Sequence, residues 1–274
     1  MAGVGGGHLS LYGAVARRSY RRYSTYRGAT FAGVFTNTVF GFIKAYILLI
    51  VFRERGDIGG FDAVDAVTFT FIAQGLLAAM APFGPFELAN RIVLGDVVSD
   101  LYRPLDLQSW WLAQDLGRAG FQLVFRGIPP FALAALVFDL RLPAGAGVWA
   151  AFAVSLGLSL GLGTAFALRF LISLSAFWLA DIRGPLQMSA MVFMFFSGFI
   201  LPVQFFPGAL RTLADALPFT AIVQLPAEVF LSKHRSPGEL LWVLARQGAW
   251  MVALVGAGRL VMERAWRRVV VQGG

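Results

Sequence analysis

The run FAGVFTNTVFGFIKAYILLIVF, residues 31–52, is apolar apart from a few small polar residues and one lysine, Lys44. A helix that crosses the ~30 Å hydrocarbon core of a bilayer needs about 20 such residues. The whole chain of 274 residues shares this character, with 58% hydrophobic residues, 14% charged residues and a mean hydropathy of +0.70. Soluble domains contain roughly 45–50% apolar and about 25% charged residues. We therefore predict an all-α integral membrane protein.

Further apolar runs on the C-terminal side of this one bring the number of predicted spans to six. The six runs cover residues 31–52, 63–82, 119–138, 148–172, 186–201 and 240–261. The second is interrupted by Gln74 and Gly75, and the fifth is short before Pro202. We predict a single membrane domain over residues 1–274, with an interfacial helix in residues 1–30, the six spans in residues 31–261 and a cytoplasmic tail in residues 262–274.

The distribution of basic residues predicts the orientation. With the N-terminus inside, the cytoplasmic segments contain twelve arginines and the outer connections contain six basic residues, and such an excess is typical of the cytoplasmic side. Both termini are therefore predicted to be cytoplasmic. The N-terminal segment has its short apolar piece before Arg17, Arg18, Arg21 and Arg22, the reverse of a secretory signal peptide. It is predicted to lie as a helix in the inner interface.

Several function classes are disfavoured by the composition. The chain has no cysteine and two histidines, His8 and His234, so neither a disulfide framework nor a Cys/His metal site is expected. The net charge of +8 resides at the ends of apolar runs rather than on a basic face with interleaved aromatics, so nucleic-acid binding is not expected. An intramembrane protease needs a histidine at depth, and neither histidine lies in a predicted span. We therefore expect no catalytic residues.

An ATP-independent secondary carrier or channel is the alternative that stays open. Ion-coupled carriers usually contain paired carboxylates or broken helices near the middle of the membrane. Predicted spans one, three, four and five have no acid at their centre, and Asp62 and Asp65 lie at the outer edge of span two. This pattern weakens the carrier interpretation without removing it.

Between the second and third spans, residues 84–118 are unusually rich in charge, and they contain the segment SDLYRPLDLQSWWLAQDLGR (residues 99–118). Pro104 should end or turn a helix, because the residue before proline is driven out of the α region. We expect a short helix near residues 92–102, and then an amphipathic piece that leads into span three. Such a surface helix can dock a cytoplasmic partner, or it can merely link two spans.

Five segments together resemble a known family. They are DVVSDLYRPLDLQSWWLAQDLGRAGFQLVFRGIPP (96–130), SAFWLADIRGPLQ (175–187), FFSGFILPVQFFPGAL (195–210), LPFTAIVQLPAEVFL (217–231) and WRRVVVQGG (266–274). In this order they resemble the permease subunit of ATP-binding-cassette (ABC) exporters of the type-2 export class, nearest to the viologen and multidrug exporter group. The resemblance implies a bacterial cytoplasmic (inner) membrane protein with an N-terminal interfacial helix, six spans, a cytoplasmic coupling helix between spans two and three, and short re-entrant helices before span six. From the residues alone, the Pro-rich connection before span six could also be one irregular amphipathic lid.

The resemblance also implies partners and contact residues. Residues 95–104 would hold the coupling helix and residues 180–184 a second contact with the ABC ATPase subunits. The implied contact residues are Asp96, Asp100, Tyr102, Arg103, Pro104, Asp181 and Arg183. A second permease, identical or related but different, would complete the assembly. The chain lacks the phosphate-binding pattern GxxxxGK[ST], so we expect no cofactor on this chain, with ATP and Mg bound by the partner ATPase.

The residues of a translocation pathway can be proposed from their chemistry. A bulky organic molecule fits a surface of aromatic and methionine side chains with a few polar groups. Candidates are Phe35, Asn37, Thr38, Phe40, Phe71, Gln74, Met191 and Phe195, although such residues can equally face lipid or neighbouring helices. Charges within the predicted spans raise a similar choice. Lys44 can reach outward to the interface or face the pathway, and Arg126 can be buried against backbone carbonyls.

Overall fold

The structure is a computed structural model that describes residues 4–84, 86–102, 105–143, 148–179, 181–234 and 236–266. The regular elements of these residues are all helical, in agreement with the predicted all-α class. The α-helices are α1 (Val4–Ser24), α2 (Arg27–Arg55), α3 (Ala63–Met80), α4 (Glu87–Val93), α5 (Val97–Leu101), α6 (Leu107–Gln122), α7 (Ile128–Ala134), α8 (Val148–Leu174), α9 (Arg183–Phe196), α10 (Gly208–Ala216), α11 (Gln224–Phe230) and α12 (Pro237–Ala265). A π-helical turn at Leu123–Gly127 joins α6 to α7, and short 3₁₀ turns cover Ser175–Phe177, Val203–Phe205 and Pro218–Ala221.

Four helical segments of the described residues are long and apolar enough to cross a membrane: α2, α3, Val148–Phe177 and α12. A fifth candidate is the pair Gly208–Ala216 and Pro218–Phe230, which is bent by 67° and is either a broken span or a re-entrant loop. Predicted span three falls on α6, the π-turn and α7, and predicted span five on α9, which has only 14 residues. The structure therefore gives four to five candidate spans.

Local sequence explains where two of the long helices begin. At the start of α3 the Asp62 carboxylate accepts a hydrogen bond from the Asp65 N–H (2.8 Å), and the Asp65 carboxylate accepts one from the Asp62 N–H (3.0 Å). This reciprocal capping box satisfies two backbone donors that a helix start leaves free. α12 begins similarly, because Ser236 accepts from the Glu239 N–H and Pro237 occupies the first helical position. The starts of α3 and α12 therefore follow local chemistry.

The centre of the molecule is α3, whose side chains are buried on all faces. Phe69, Phe71, Leu76 and Met80 are each at most 2% exposed. One apolar cluster joins residues of α3 to residues of α2, α8, α9 and α11. α3 is therefore the central helix of the fold, and the other long helices pack around it.

The small residues of α8 allow close packing within the same chain. A Cβ atom added to Gly161 would lie 3.0 Å from the backbone oxygen of Ile222, and one added to Gly163 would lie 2.4 Å from the sulfur of Met251. Small residues let helix backbones approach where lipid supplies no hydrophobic drive. This face of α8 therefore packs against the α11 region and α12.

α1 is helical, as predicted for residues 1–30, and it packs against α6. The Ser19 hydroxyl donates to the Gln114 carbonyl (2.6 Å), and the Tyr20 ring meets the Phe121 ring edge-on at 5.5 Å. A Cβ atom on Gly117 would lie 2.0 Å from the Ala16 carbonyl oxygen, so this crossing requires a glycine. α1 is thus attached to the helix that leads into predicted span three.

Candidate functional site

The segment between α3 and α6 contains two short helices, α4 and α5, in place of the single helix expected near residues 92–102. The expectation of one continuous helix was wrong because the chain turns at Gly95, where φ is +79°. That left-handed conformation favours glycine, which has no Cβ to clash. The predicted contact residues Arg103 and Pro104 lie outside the described residues.

Arg91 of α4 links this helix to α5 by hydrogen bonds. Its Nε donates to the Asp100 carboxylate at 2.7 Å, and its Nη2 donates to the Asp96 carbonyl (3.2 Å) and to the Ser99 hydroxyl (3.0 Å). Asp100 is only 5% exposed, so its carboxylate faces this internal pair. The two short helices are therefore held together as one unit.

The outward side of this unit is apolar and aromatic. Tyr102 is 78% exposed and Leu94 is 73% exposed, with Val93 and Asp96 also exposed. We call Val93, Leu94, Asp96 and Tyr102 the docking patch. A group of exposed large apolar side chains is typical of an interaction surface.

The second predicted contact lies at the start of α9. Arg183 pairs with Asp181 at 2.9 Å, and both side chains are well exposed. Asp181 also accepts from the Arg183 backbone N–H (2.9 Å), the first backbone donor of α9. These hydrogen bonds from Arg183 lower the pKa of the Asp181 carboxyl below its usual value. The pair therefore presents a fixed, charged surface.

A buried apolar cluster connects the two predicted contacts. Ile92 and Val97 of the first segment belong to the same cluster as Ala176 and Ile182 of the second. The cluster continues into the long helices through residues of α6, α8 and α12, namely Leu107, Phe166, Phe170, Leu174 and Met262. This cluster therefore joins both predicted contacts to α8 and α12.

A buried polar network lies at the inner ends of α3, α6 and α8. Asp115 pairs with Arg118 (2.9 Å) and with Arg169 of α8 (2.6 Å), and Arg118 also donates to the carbonyls of Ala78 (3.0 Å) and Ala79 (2.6 Å). The sequence analysis did not find this network. The spacing of Asp115 and Arg118, three residues apart on one helix face, was a signal for the first pair, but none pointed to Arg169.

A second charged network lies at the outer end of α3. Asp65, which is 1% exposed, pairs with Arg141 (2.9 Å) and with Lys233, and Arg141 also pairs with Asp62 (2.5 Å). The two acids at the edge of predicted span two are thus neutralised by basic residues. This arrangement fits a structural role better than ion transport.

The predicted pathway residues divide into two groups. Phe35, Phe40, Met191 and Phe195 are exposed on α2 and α9, and Thr38 is half-buried. Asn37, Phe71 and Gln74 are instead buried inside the chain, where the Asn37 amide donates to the Gln74 carbonyl (3.3 Å). The candidates therefore do not share one surface within a single chain.

Lys44 points inward rather than toward the outer interface. Its Nζ donates to the Phe199 carbonyl at 2.6 Å and lies 4.8 Å from the centre of the Phe199 ring. Phe199 belongs to the non-helical turn that follows α9. Lys44 therefore ties α2 to this turn by a charged hydrogen bond and a cation–π contact.

The Pro-rich outer connection contains α10 and α11 and a buried amide network. Gln224 donates to Gln204 (2.6 Å) and Glu228 (2.9 Å) and accepts from the Val203 N–H (3.0 Å), and Gln204 also donates to Glu228. A cavity of about 280 Å³ lies beside these groups. Within the described residues, no group of three His, Asp or Glu side chains could hold a metal ion.

The long apolar helices define a helical multi-pass membrane protein, and the docking patch is exposed on its surface. The family model described as ABC-2 family transporter protein matches residues 39–273. The chain belongs to this ABC-2 transporter family, whose members are membrane components rather than ATPases and work with ABC ATPases in general. No curated protein matches the chain.

Proposed function

We propose that this chain is the permease subunit of an ATP-driven exporter in a bacterial cytoplasmic membrane, with both termini in the cytoplasm. It spans the membrane six times, with α6 to α7 as span three and α9 as span five. Two copies, or this chain and a related permease, form the translocation pathway, and separate ABC ATPase subunits bind ATP and Mg. The observation that carries the proposal is the exposed docking patch, which rests on the cluster that contains residues of α8 and α12.

In this proposal the ATPase pushes on the docking patch and on the Asp181–Arg183 pair. The Arg91–Asp100 pair makes α4 and α5 move as one body. The displacement then passes through Ile92 and Val97 into the apolar cluster and tilts the long helices. α4 and α5 are thus the coupling element, with Asp100 in a supporting position and Tyr102 in direct contact with the ATPase.

The pathway forms between two permeases in this proposal. The exposed residues Phe35 and Phe40 of α2 and Met191 and Phe195 of α9 supply aromatic and sulfur surface that a single chain leaves uncovered. Aromatic faces attract organic cations, so amphipathic cations, such as viologens and other drugs, are the proposed cargo class. The buried residues Asn37, Phe71 and Gln74 position α2 against α3.

The test is ATP-driven export by the purified complex in proteoliposomes. Tyr102→Ala is expected to abolish ATP-dependent uptake of an organic cation into inverted vesicles while the protein remains folded. Trp149→Ala, which removes an 83% exposed aromatic side chain from the opposite end of α8, is the matched control and is expected to transport normally. Export by Tyr102→Ala at the rate of the unmodified protein would remove the docking patch from the mechanism.

A second arm of the test separates a driven permease from an ATP-independent carrier or channel. Breaking the phosphate-binding loop of the copurifying ATPase should stop transport, since this chain lacks the lysine-containing loop that cradles phosphate. Transport that continues at full rate would favour the carrier alternative.

A further inference from the structure

A cavity of about 450 Å³ lies at the inner ends of α2, α3 and α6. Its polar lining comes from residues of α1, α2, α6 and the turns beside them, namely Tyr23, Tyr26, Thr30, Asn37, Arg118, Gln122 and Arg126. The remaining walls are largely apolar, contributed by the end of α3 and the turn that follows it. The cavity is therefore an apolar recess with a few hydrogen-bonding groups, which is the usual make-up of a ligand site.

Arg126 has no charged partner in the described part of the chain. Its guanidinium lies against Gly33, where an added Cβ would be 1.9 Å from Nη2. The one acceptor found for it among the described residues is the Gln122 side chain, at a long 3.5 Å. Its Nε–H is buried without an acceptor there. A charge in a membrane segment is costly and is usually paired with an opposite charge. No carboxylate of the described residues provides that pair for Arg126.

The backbone around Arg126 places it in the recess. Arg126 lies in the π-helical turn Leu123–Gly127, a kind of irregularity that is frequent at functional sites. The turn packs closely on α3, because a Cβ on Gly75 would lie 3.3 Å from Gly127 Cα. The π-turn therefore fits the helix to α3 and places Arg126 at the wall of the cavity.

The surroundings of the cavity are positively charged. Arg118 and Arg169 share the single carboxylate of Asp115, and on the neighbouring surface Arg22 pairs with Glu87. With Arg126 included, the arginines of this region outnumber the carboxylates. A group of positive charges around a recess favours an anion.

The depth of the site matches the inner headgroup region. Gly33, which touches the Arg126 guanidinium, lies six residues after Arg27, the first residue of α2. At 1.5 Å per residue this is about 9 Å along the helix, a depth at which interfacial helices contact headgroups and the first acyl carbons. An anion at this level can come from the lipid itself.

We propose that the cavity binds a phosphate-type anion through Arg126, with an inner-leaflet anionic phospholipid as its source. The Tyr23 and Tyr26 hydroxyls and the Gln122 amide line the same recess and can donate to the remaining oxygens. Burial raises the pKa of the Tyr23 hydroxyl, so Tyr23 stays a neutral donor. Basic recesses between helices on the cytoplasmic side are suited to lipid headgroups.

The experiment compares the melting temperature of the full-length protein in nanodiscs of phosphatidylcholine and of phosphatidylglycerol. A ligand that binds only the folded state raises the melting temperature, so the unmodified protein is expected to melt higher in phosphatidylglycerol. Arg126→Gln is expected to lose this increase. The matched control is Arg259→Gln, which removes an exposed arginine near the inner end of α12 and should keep the increase.

Gly33→Ala tests the geometry without removing the charge. The added methyl group occupies the place of the guanidinium, so Arg126 must swing away and the phosphatidylglycerol-dependent increase should be lost again. If Arg126→Gln does not fold, the loss of the increase in Gly33→Ala still tests the proposal. In phosphatidylcholine, Arg126→Gln should melt at least as high as the unmodified protein, since an unneutralised charge has been removed. A merely structural arginine would instead make this variant melt lower in both lipids.

A soluble source is tested by adding inorganic phosphate to the phosphatidylcholine nanodiscs. An Arg126-dependent increase there would support the anion site and assign its ligand to the aqueous phase. A phosphatidylglycerol-dependent increase that is equal in the unmodified protein, Arg126→Gln and Gly33→Ala would overturn the proposal. The assay contains neither ATPase nor cargo, so its failure would leave the permease function untouched.

Discussion

The chain has two regions of short helices, which the sequence predicts to lie on opposite sides of the membrane, and they are built in opposite ways. In the predicted cytoplasmic region, α4 and α5 are joined by the Arg91–Asp100 pair, and they expose Leu94 and Tyr102. In the predicted outer region, α10 and α11 surround buried amides, with Gln224 only 2% exposed. The outer region is thus part of the protein core, whereas the cytoplasmic region leaves large side chains uncovered.

The comparison predicts that substitutions in the outer region mainly affect stability. The largest effect is expected for Gln224→Leu, which leaves the Val203 N–H and the side-chain amide oxygen of Gln204 without their partner. Each unsatisfied buried group costs about 1–3 kcal/mol, so the free energy of unfolding should fall by roughly 3 kcal/mol. Thermal unfolding in detergent measures this loss. Gln187→Leu, on the exposed surface of α9, is the control and should change little.

An intermediate effect is expected at the joint between α4 and α5. Asp100→Ala removes the carboxylate that accepts from Arg91, and a hydrogen bond to a charged group contributes about 1.5–3 kcal/mol. Because Arg91 is partly exposed and can be rehydrated, we expect the lower end, about 1.5 kcal/mol. ATP-driven transport should fall as well, since α5 no longer moves with α4. Hydrogen exchange at the α5 amides gives a direct measurement.

The control for this joint is Asp57→Ala in the outer connection, where the side chain is exposed. It removes the same charge from the opposite side of the membrane and should preserve both stability and transport. Unchanged protection of the α5 amides in Asp100→Ala would show that α5 is held by the apolar cluster alone.

A small effect on stability, with a large effect on partner binding, is expected at the docking patch. Leu94→Asp changes a 73% exposed side chain, and surface substitutions usually shift stability by less than about 0.5 kcal/mol. The ATPase should nevertheless copurify poorly, because a charge replaces apolar contact area. Leu241→Asp changes a similarly exposed leucine of α12 and should leave ATPase binding intact. Equal ATPase recovery with both variants would mean that the patch is not the contact.

Some parts of the fold could be predicted from the sequence and others could not. Long apolar runs are local signals, so the helices of predicted spans one, two, four and six were found near their observed positions. The break at Gly95 was missed, although glycine is a known turn signal, because the prediction placed the turn at Pro104. The pairing of Arg169 with Asp115, which are separated by 54 residues, is a tertiary contact that no local pattern records.

The candidate pathway was the hardest part to predict. Phe35 and Phe71 look alike in sequence, yet Phe35 is 63% exposed and Phe71 is fully buried. In a soluble protein the exposed face of a helix is polar and the buried face is apolar, so the sequence distinguishes them. In a membrane the lipid-facing side is as apolar as the core, so this distinction is lost. Hydropathy therefore predicts that a helix is in the membrane without predicting which face lines a pathway.

The smallest effect is expected at the Asp181–Arg183 pair, which is exposed and screened by salt. Arg183 holds the pKa of Asp181 below its usual value. A carboxyl with a lowered pKa in the folded state stabilises the fold above its unfolded pKa, and this contribution is lost as the pH falls through the folded pKa. Arg183→Gln should therefore raise the pKa of Asp181 and slightly reduce the acid sensitivity of the α9 start. Titration of the Asp181 carboxyl by NMR measures the shift, which should shrink at high salt. An Asp181 pKa that is the same with and without Arg183 would show that the pair is not formed in solution, and the second contact would then present two independent charges to the ATPase.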